Sequence, residues 1–166
     1  ISNNETVKIA ISGGMGKMGL LLSDFIESKD GYDISGIYDP EKESTTYHNY
    51  KSIDEINADI LVEFSPADSI NENLAVLANK KINLVVGSSG INERSLEVLK
   101  SNIDDDQFIC IIPNFSIGAS FQKIFSGLLN NSFPDISIEE RHHSNKKDSP
   151  SGTAVDMAQS LEHEDR

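Results

Sequence analysis

"VKIAISGGMGKMGLLLSDFIE", residues 7–27, changes its periodicity at one point. Residues 7–11 form a short apolar run that reads as a strand. Beyond it Met18, Leu21, Leu22, Phe25 and Ile26 fall at i, i+3, i+4, i+7 and i+8, the spacing of an amphipathic helix with those five on one face. Between the two lies a run crowded with glycine. Gly14, Gly16 and Gly19 stand in a G-x-G-x-x-G pattern, and Gly13 extends it.

A strand, a glycine turn and a helix are the context that a dinucleotide-binding turn requires. Glycines let the backbone turn tightly and approach a pyrophosphate, which sits on the free N–H groups of the helix start. The second apolar run, residues 32–39, ends in Asp39, 20 residues past Gly19. A carboxylate there can accept the ribose hydroxyls of an adenosine. Two plainer readings stay open: a glycine-rich turn that binds nothing, and a solvated acid at a strand end. Lys17 neutralises a phosphate if the turn binds a dinucleotide and is a surface lysine if it binds nothing.

Working outward, residues 59–64, 82–87 and 107–112 read as further strands. Helical patterns separate them. The first of these has Ser65 as N-cap, Pro66 at the first position and Asp68 at the third. Alternating strands and helices argue for a doubly wound, Rossmann-like parallel α/β sheet. Ligands of such sheets bind beyond the carboxyl ends of the strands. The turns holding Gly87, Ser88 and Ser89, and Ile112, Pro113, Asn114 and Phe115, are therefore candidates to line the same groove as the glycine turn.

After "PNFSIG", residues 113–118, the pattern changes. Residues 119–129 read as a helix with Phe121, Ile124, Phe125 and Leu128 on one side. Residues 135–140 alternate with period two, as a half-buried strand does. A final helix follows Ser151. We expect a dinucleotide-binding domain over 1–114 and the start of an α+β substrate and oligomerisation domain over 115–166.

The chain carries 27 acidic residues against 14 lysines and arginines, a formal charge of −13. Nucleic acid and anionic membranes would be repelled, so neither is an expected partner. The single cysteine, Cys110, lies in an apolar strand and is expected to be a buried, inert thiol. No apolar stretch approaches the roughly 20 residues of a membrane span, and no leader pattern opens the sequence. A cytoplasmic setting is expected.

Against that acidity, "EERHHSNKKDSPSGTA", residues 139–154, gathers Arg141, His142, His143, Lys146 and Lys147. Several chemistries could use it. Zinc is disfavoured, because adjacent histidines on an extended segment point to opposite sides and no cysteine is near; no metal is expected. A Ser151–Lys146 nucleophile pair or a Schiff-base lysine is conceivable. A dicarboxylate uses every part. Ser151, Gly152 and Thr153 open a helix whose N–H groups and hydroxyls can hold one carboxylate, Lys146 and one histidine add positive charge, and the other histidine moves a proton. The plain alternative is a basic, solvated loop before a capped helix.

These residues resemble a known family. The run Glu140, His142, His143, Lys146, Asp148, Pro150, Ser151, Gly152, Thr153, Ala154 is similar to the signature of the 4-hydroxy-tetrahydrodipicolinate (dihydrodipicolinate) reductases of lysine and diaminopimelate synthesis. "GGMGKMG", "VVGSSG" and "IPNFSIG" resemble that family's cofactor-side segments. The resemblance implies reduction of a cyclic, unsaturated dicarboxylate by NADH or NADPH after loss of water. His142 and Lys146 would be catalytic, and His143, Ser151, Gly152 and Thr153 would bind substrate. Gly13, Gly14, Met15, Gly16, Lys17, Met18, Asp39, Gly87, Ser88, Ser89, Ile112, Pro113, Asn114 and Phe115 would face the cofactor. The family often has Arg directly after the acid, where this chain has Pro40, which favours NADH. Family members continue well beyond the signature helix and form tetramers, so the second domain is expected to be incomplete as written. Another NAD(P) amino- or imino-acid dehydrogenase would share the glycine turn without needing the basic run. A dinucleotide-sensing module would need neither acid nor carboxylate clamp.

Overall fold

The computed structural model describes residues 6–133, 135–142, 144 and 149–161. The chain divides into two compact units, Ile1–Ile112 and Pro113–Arg166.

In the first unit, β1 (Val7–Ser12), α1 (Lys17–Glu27), β2 (Tyr32–Tyr38), β3 (Ile60–Glu63), α2 (Ile70–Leu77), β4 (Asn83–Val86), α3 (Glu93–Asn102) and β5 (Ile109–Ile111) follow in order. All strand pairs are parallel, and the sheet order is β2-β1-β3-β4-β5. The five strands expected from the apolar runs are present, in a Rossmann-like α/β sheet. The order reverses beside β1, so the crevice between the ends of β1 and β3 is the topological switch point.

Alternation along β1 divides the core. Ile9 and Ile11 pack with Ile26, Ile37 and Val62 on the α1 face. Ala10 joins Leu61, Ile70, Leu74, Leu84 and Leu99 on the face covered by α2 and α3. Each fully buried Leu or Ile contributes about 1.5–3 kcal/mol, so two filled faces hold this sheet.

Three expectations about the first unit need correction. The apolar stripe of α1 is only half used: Ile26 is buried, but Leu21 and Phe25 stay 63% and 58% exposed. The buried residues are Gly19, Ser23 and Ile26. Small residues at 19 and 23 let the helix ride close to the backbone beneath it, and this turns Met18, Leu21 and Phe25 outward. Second, α2 begins at Ile70 behind Ser69, not behind Ser65. Residues 66–69 form a turn, with the Ser69 and Ile70 N–H groups donating to the Pro66 carbonyl. Ser65 is drawn inward to other partners described below. Third, Cys110 is exposed. It lies on edge strand β5, where Ile111 is exposed as well.

In the second unit, α4 (Ile117–Leu129) is capped by Ser116, whose hydroxyl accepts the Ala119 N–H. A short 3-10 turn (Asn130–Ser132) follows, and α5 (Gly152–Leu161) comes last. Phe121, Ile124, Phe125 and Leu128 share one side as expected, yet no α4 residue is buried. The strand expected over 135–140 is absent. Those residues make no ladder with any described residue, and alternation without a partner strand cannot hold a strand. Among the described residues, no helix is long and apolar enough to cross a membrane.

The segment after β2 is fastened to the sheet and to α1. The Ile37 N–H donates to the His48 carbonyl, and the Tyr50 N–H donates to that of Ile37. The Tyr47 hydroxyl donates to Glu27 at the end of α1. Burial first, then that hydrogen bond and the charges of Glu27 and Asp24, push the Tyr47 phenol up to about 12. Its stabilising contribution is complete below about pH 10, where the unfolded chain is also protonated, and fades as pH rises toward 12. Urea unfolding between those pH values should show the wild type losing stability more steeply than Tyr47→Phe. Parallel slopes would remove this contribution.

Candidate functional site

Four strand ends lie side by side. The Gly13 N–H donates to the Tyr38 carbonyl at 2.8 Å, that of Phe64 to Ser12 at 2.9 Å, and that of Gly87 to Glu63 at 2.9 Å. Above the switch point a groove of about 350 Å³ opens. Gly13, Met15 and Gly16 line it from the glycine turn, Asp39 and Pro40 from the end of β2, and Phe64, Ser65 and Pro66 from the end of β3.

Two glycines are there for backbone proximity. Gly13 has φ +68°, and a Cβ on it would stand 2.8 Å from the Phe64 carbonyl carbon and oxygen. A Cβ on Gly19 would fall on the backbone of Gly14. The turn is thus pressed between the β3 turn and α1. Gly16 is the N-cap of α1, has no side-chain cap, and is followed by no acid in the first turn. The leading N–H groups of that helix therefore have no side-chain acceptor at their cap, which suits an anion.

Asp39 reaches the turn it was expected to serve, but its carboxylate is already in use. It accepts the Met15 N–H on Oδ2 and the Glu41 and Lys42 N–H groups on Oδ1, each at 3.1 Å. A carboxylate offers about four acceptor positions, so roughly one remains for a hydroxyl. Lys42 also lines the groove, two residues beyond the position where the sequence lacks an arginine. Lys17 and Met18 are exposed on α1 and do not line the groove. Gly87 and Ser88 are both tied to the Glu63 carbonyl, the latter through its hydroxyl at 3.2 Å; Ser89 is exposed beside them. Ile112 ends the first unit with its N–H on the Val86 carbonyl.

The sequence reading missed Phe64, Ser65 and Pro66 as groove residues because it assigned the last two to a helix start. Their position after the strand beside β1 was the available signal. It also missed the buried group behind them. Ser12, Glu63 and Ser65 are 0%, 0% and 6% exposed, and Asn73 is 9% exposed. The Ser65 N–H donates to Glu63 Oε1 at 2.6 Å. Asn73 Nδ2 donates to Glu63 Oε2 at 3.3 Å and to Ser65 Oγ at 2.9 Å. The Ser12 and Ser65 hydroxyls are 3.0 Å apart.

In the second unit Ser151 is the residue ahead of α5. Its hydroxyl accepts the Ala154 N–H at 3.1 Å and donates to Glu140, and its own N–H donates to Glu140 Oε1 at 2.9 Å. Ser151 is 6% exposed and spent on these contacts, whereas Gly152 is exposed and Thr153 half-buried. Glu140, singled out in the sequence only as part of a signature, also stands 3.8 Å from His142 Nδ1. Arg141 is paired with Glu139. His143 and Lys146 lie outside the described residues. Thr153 shares a cavity of about 240 Å³ with Pro113, Asn114 and an ion pair, Lys123 Nζ to Asp156 Oδ2 at 2.6 Å. So two expected cofactor residues and one expected substrate residue line the same space. Nothing in the pattern of α4 announced Lys123. Asn114 Oδ1 also accepts the Ser116 N–H, and Phe115 is 46% exposed.

The close approach at Gly13 is open to test against Gly31, which has φ +84° but open space around its Cβ position. Gly31→Ala should cost only backbone strain, about 1 kcal/mol. Gly13→Ala adds a clash with backbone, and its loss in urea unfolding should exceed that of Gly31→Ala by about 1–3 kcal/mol. Equal losses would contradict the packed turn.

Comparison with known proteins agrees with this architecture. The family model described as dihydrodipicolinate reductase, N-terminus, matches residues 7–115, and the one described as its C-terminus matches residues 116–166. The 4-hydroxy-tetrahydrodipicolinate reductase of Cutibacterium acnes is 31% identical over 150 residues, 89% of this chain and 58% of that protein. That of Legionella pneumophila subsp. pneumophila is 32% identical over 155 residues, 93% of this chain and 62% of that protein. The chain thus spans about three-fifths of the length of these relatives. A dipicolinate-bound dihydrodipicolinate reductase from Paenisporosarcina sp. TG-14 has the same fold, with a TM-score of 0.71 at 23% identity over 94% of this chain and 65% of that one. With both family models matched end to end from Val7, this chain belongs to the dihydrodipicolinate reductase family.

Proposed function

We propose that the protein reduces 4-hydroxy-tetrahydrodipicolinate, by way of its dihydro form, to tetrahydrodipicolinate in lysine and diaminopimelate synthesis, using NADH or NADPH. The observation that carries this reading is the groove at the switch point. Its glycine turn admits no side chain at Gly13 or Gly19, and it faces a bare helix start and an acid. Those features fit a dinucleotide: pyrophosphate on the first N–H groups of α1, with a ribose hydroxyl on the acceptor position left on Asp39. When bound, the reduced cofactor supplies a hydride.

The chain's own residues do the rest. His142 gives and takes the proton at the substrate ring, with Glu140 Oε2 3.8 Å from its Nδ1 to orient the imidazole. His143 contacts substrate, and Lys146 donates a proton or meets a carboxylate. The first-turn amides of Gly152 and Thr153 hold one carboxylate, while Ser151, bound to Glu140 and Ala154, sets the place of that helix start. Gly87, Ser88, Ser89, Ile112, Pro113, Asn114 and Phe115 line the nicotinamide side. Asp39 followed by Pro40 favours NADH, since no arginine adjoins the acid, and Lys42 in the groove gives NADPH a cation to meet. We place the working enzyme in the cytoplasm as a homotetramer.

The test is turnover. Full-length protein, NADH and enzymatically generated hydroxy-tetrahydrodipicolinate should give loss of absorbance at the nicotinamide band, with kcat/KM for NADH above that for NADPH. His142→Gln should lower kcat by about a hundredfold or more and leave NADH affinity in place. No turnover by the wild type would overturn the function. A His142→Gln enzyme with unchanged kcat would reject that residue's role.

A further inference from the structure

We propose that Glu63 is a positioning residue for the dinucleotide: its buried carboxyl fixes the Phe64–Ser65 turn against which the glycine turn rests. The inference rests on the cofactor reading of the switch-point groove and assigns a role to a group outside it. Glu63 is fully buried at the end of β3. A carboxyl in that setting is costly unless hydrogen-bonded, and an aliphatic side chain would fill the place without that cost. Both of its oxygens are engaged, one by the Ser65 N–H at 2.6 Å and one by Asn73 Nδ2 at 3.3 Å. The residue therefore bends the chain two residues on back toward its own side chain.

What that bend holds is the wall of the groove. The Phe64 carbonyl is the group that a Cβ on Gly13 would strike at 2.8 Å, and the Ser65 N–H lies 3.1 Å from the same point. The Glu63 backbone carbonyl receives Gly87 and the Ser88 hydroxyl. One residue thus sets the spacing between the first, third and fourth strand-end turns. A shift of a few tenths of an ångström in the Phe64–Ser65 peptide moves the surface that the pyrophosphate-binding turn leans on. Glu63 acts through Ser65 and Gly13 and touches no ligand itself.

Charge and geometry predict opposite signs, which makes the inference testable. A carboxyl beneath an anion-binding groove can only weaken dinucleotide binding on charge alone, so Glu63→Gln would then bind NADH more tightly. In the positioning account, the amide sets an N–H₂ against one of the two donors, the Ser65 N–H or Asn73 Nδ2, so the network that holds the turn loses a bond and binding weakens. The measurement is the NADH dissociation constant of the whole chain by nucleotide fluorescence, beside the melting temperature of the ligand-free protein. Glu63→Gln should raise Kd about tenfold, the equivalent of one lost buried hydrogen bond. A role confined to stability would lower Tm and leave Kd unchanged. Either an unchanged or a lower Kd overturns the inference. If Glu63→Gln does not fold, Glu63→Asp decides: it keeps the carboxyl but withdraws it by one methylene, and a Kd equal to wild type overturns the inference just as surely. Wild-type protein that binds no NADH overturns the cofactor reading itself, whereas tight wild-type binding with unmoved variants sinks only the role of Glu63.

Discussion

The peptide joining Phe64 to Ser65 lies against the α-carbon of Gly13, and much of the first unit follows from that approach. It is possible only because β1 and β3 are parallel neighbours whose carboxyl ends finish level, Ser12 beside Glu63. With the two turns in contact, a side chain at position 13 is excluded and the chain must leave β1 with positive φ. It then enters α1 almost at once. Gly19 in turn packs on Gly14, so the helix is drawn down onto the turn it follows. The groove above is what remains between two backbones that cannot come closer.

This constraint explains features that look unrelated. The small residues Gly19 and Ser23, rather than the larger apolar ones, form the contact line of α1, and the outer half of its stripe is left to solvent. A buried acid sits among two serines and an asparagine in an otherwise aliphatic sheet, because the turn needs a fixed acceptor for its Ser65 N–H. Asp39 serves the other end of the glycine turn in the same manner, taking the Met15 N–H while holding its own loop. Carboxyl groups at the ends of two strands thus orient backbone at the groove, Glu63 from behind it and Asp39 from within its lining. Glu140 repeats the arrangement in the second unit, binding the amide and hydroxyl of Ser151 ahead of α5.

The strands, their parallel order and the glycine turn were legible because they depend on local patterns. An apolar run of five residues, a turn without side chains and a helical repeat each declare themselves within their own window. What was not legible depended on residues far apart in the chain. The burial of Ser65 by Glu63, Asn73 and Ser12 removed it from the helix start that its local sequence suggests. Cys110 lies in an apolar run but on an edge strand, and only the sheet order reveals the edge. Residues 135–140 alternate as a strand does, yet a ladder needs a second strand. Ser151 was read as a ligand for a carboxylate, while the structure gives its polar atoms to Glu140 and Ala154. The signature itself named His142 and Thr153, but the ion pair of Lys123 with Asp156 beside Thr153 follows from packing of α4 on α5.

The central claim is that a dinucleotide lies on the backbone of the glycine turn, opposite the β3 turn. The most direct test is a nuclear magnetic resonance titration of ¹⁵N-labelled protein with NADH. The account predicts that the largest amide shifts occur at Gly13, Met15, Gly16, Phe64 and Ser65. Saturable binding that leaves those five amides unmoved would contradict it.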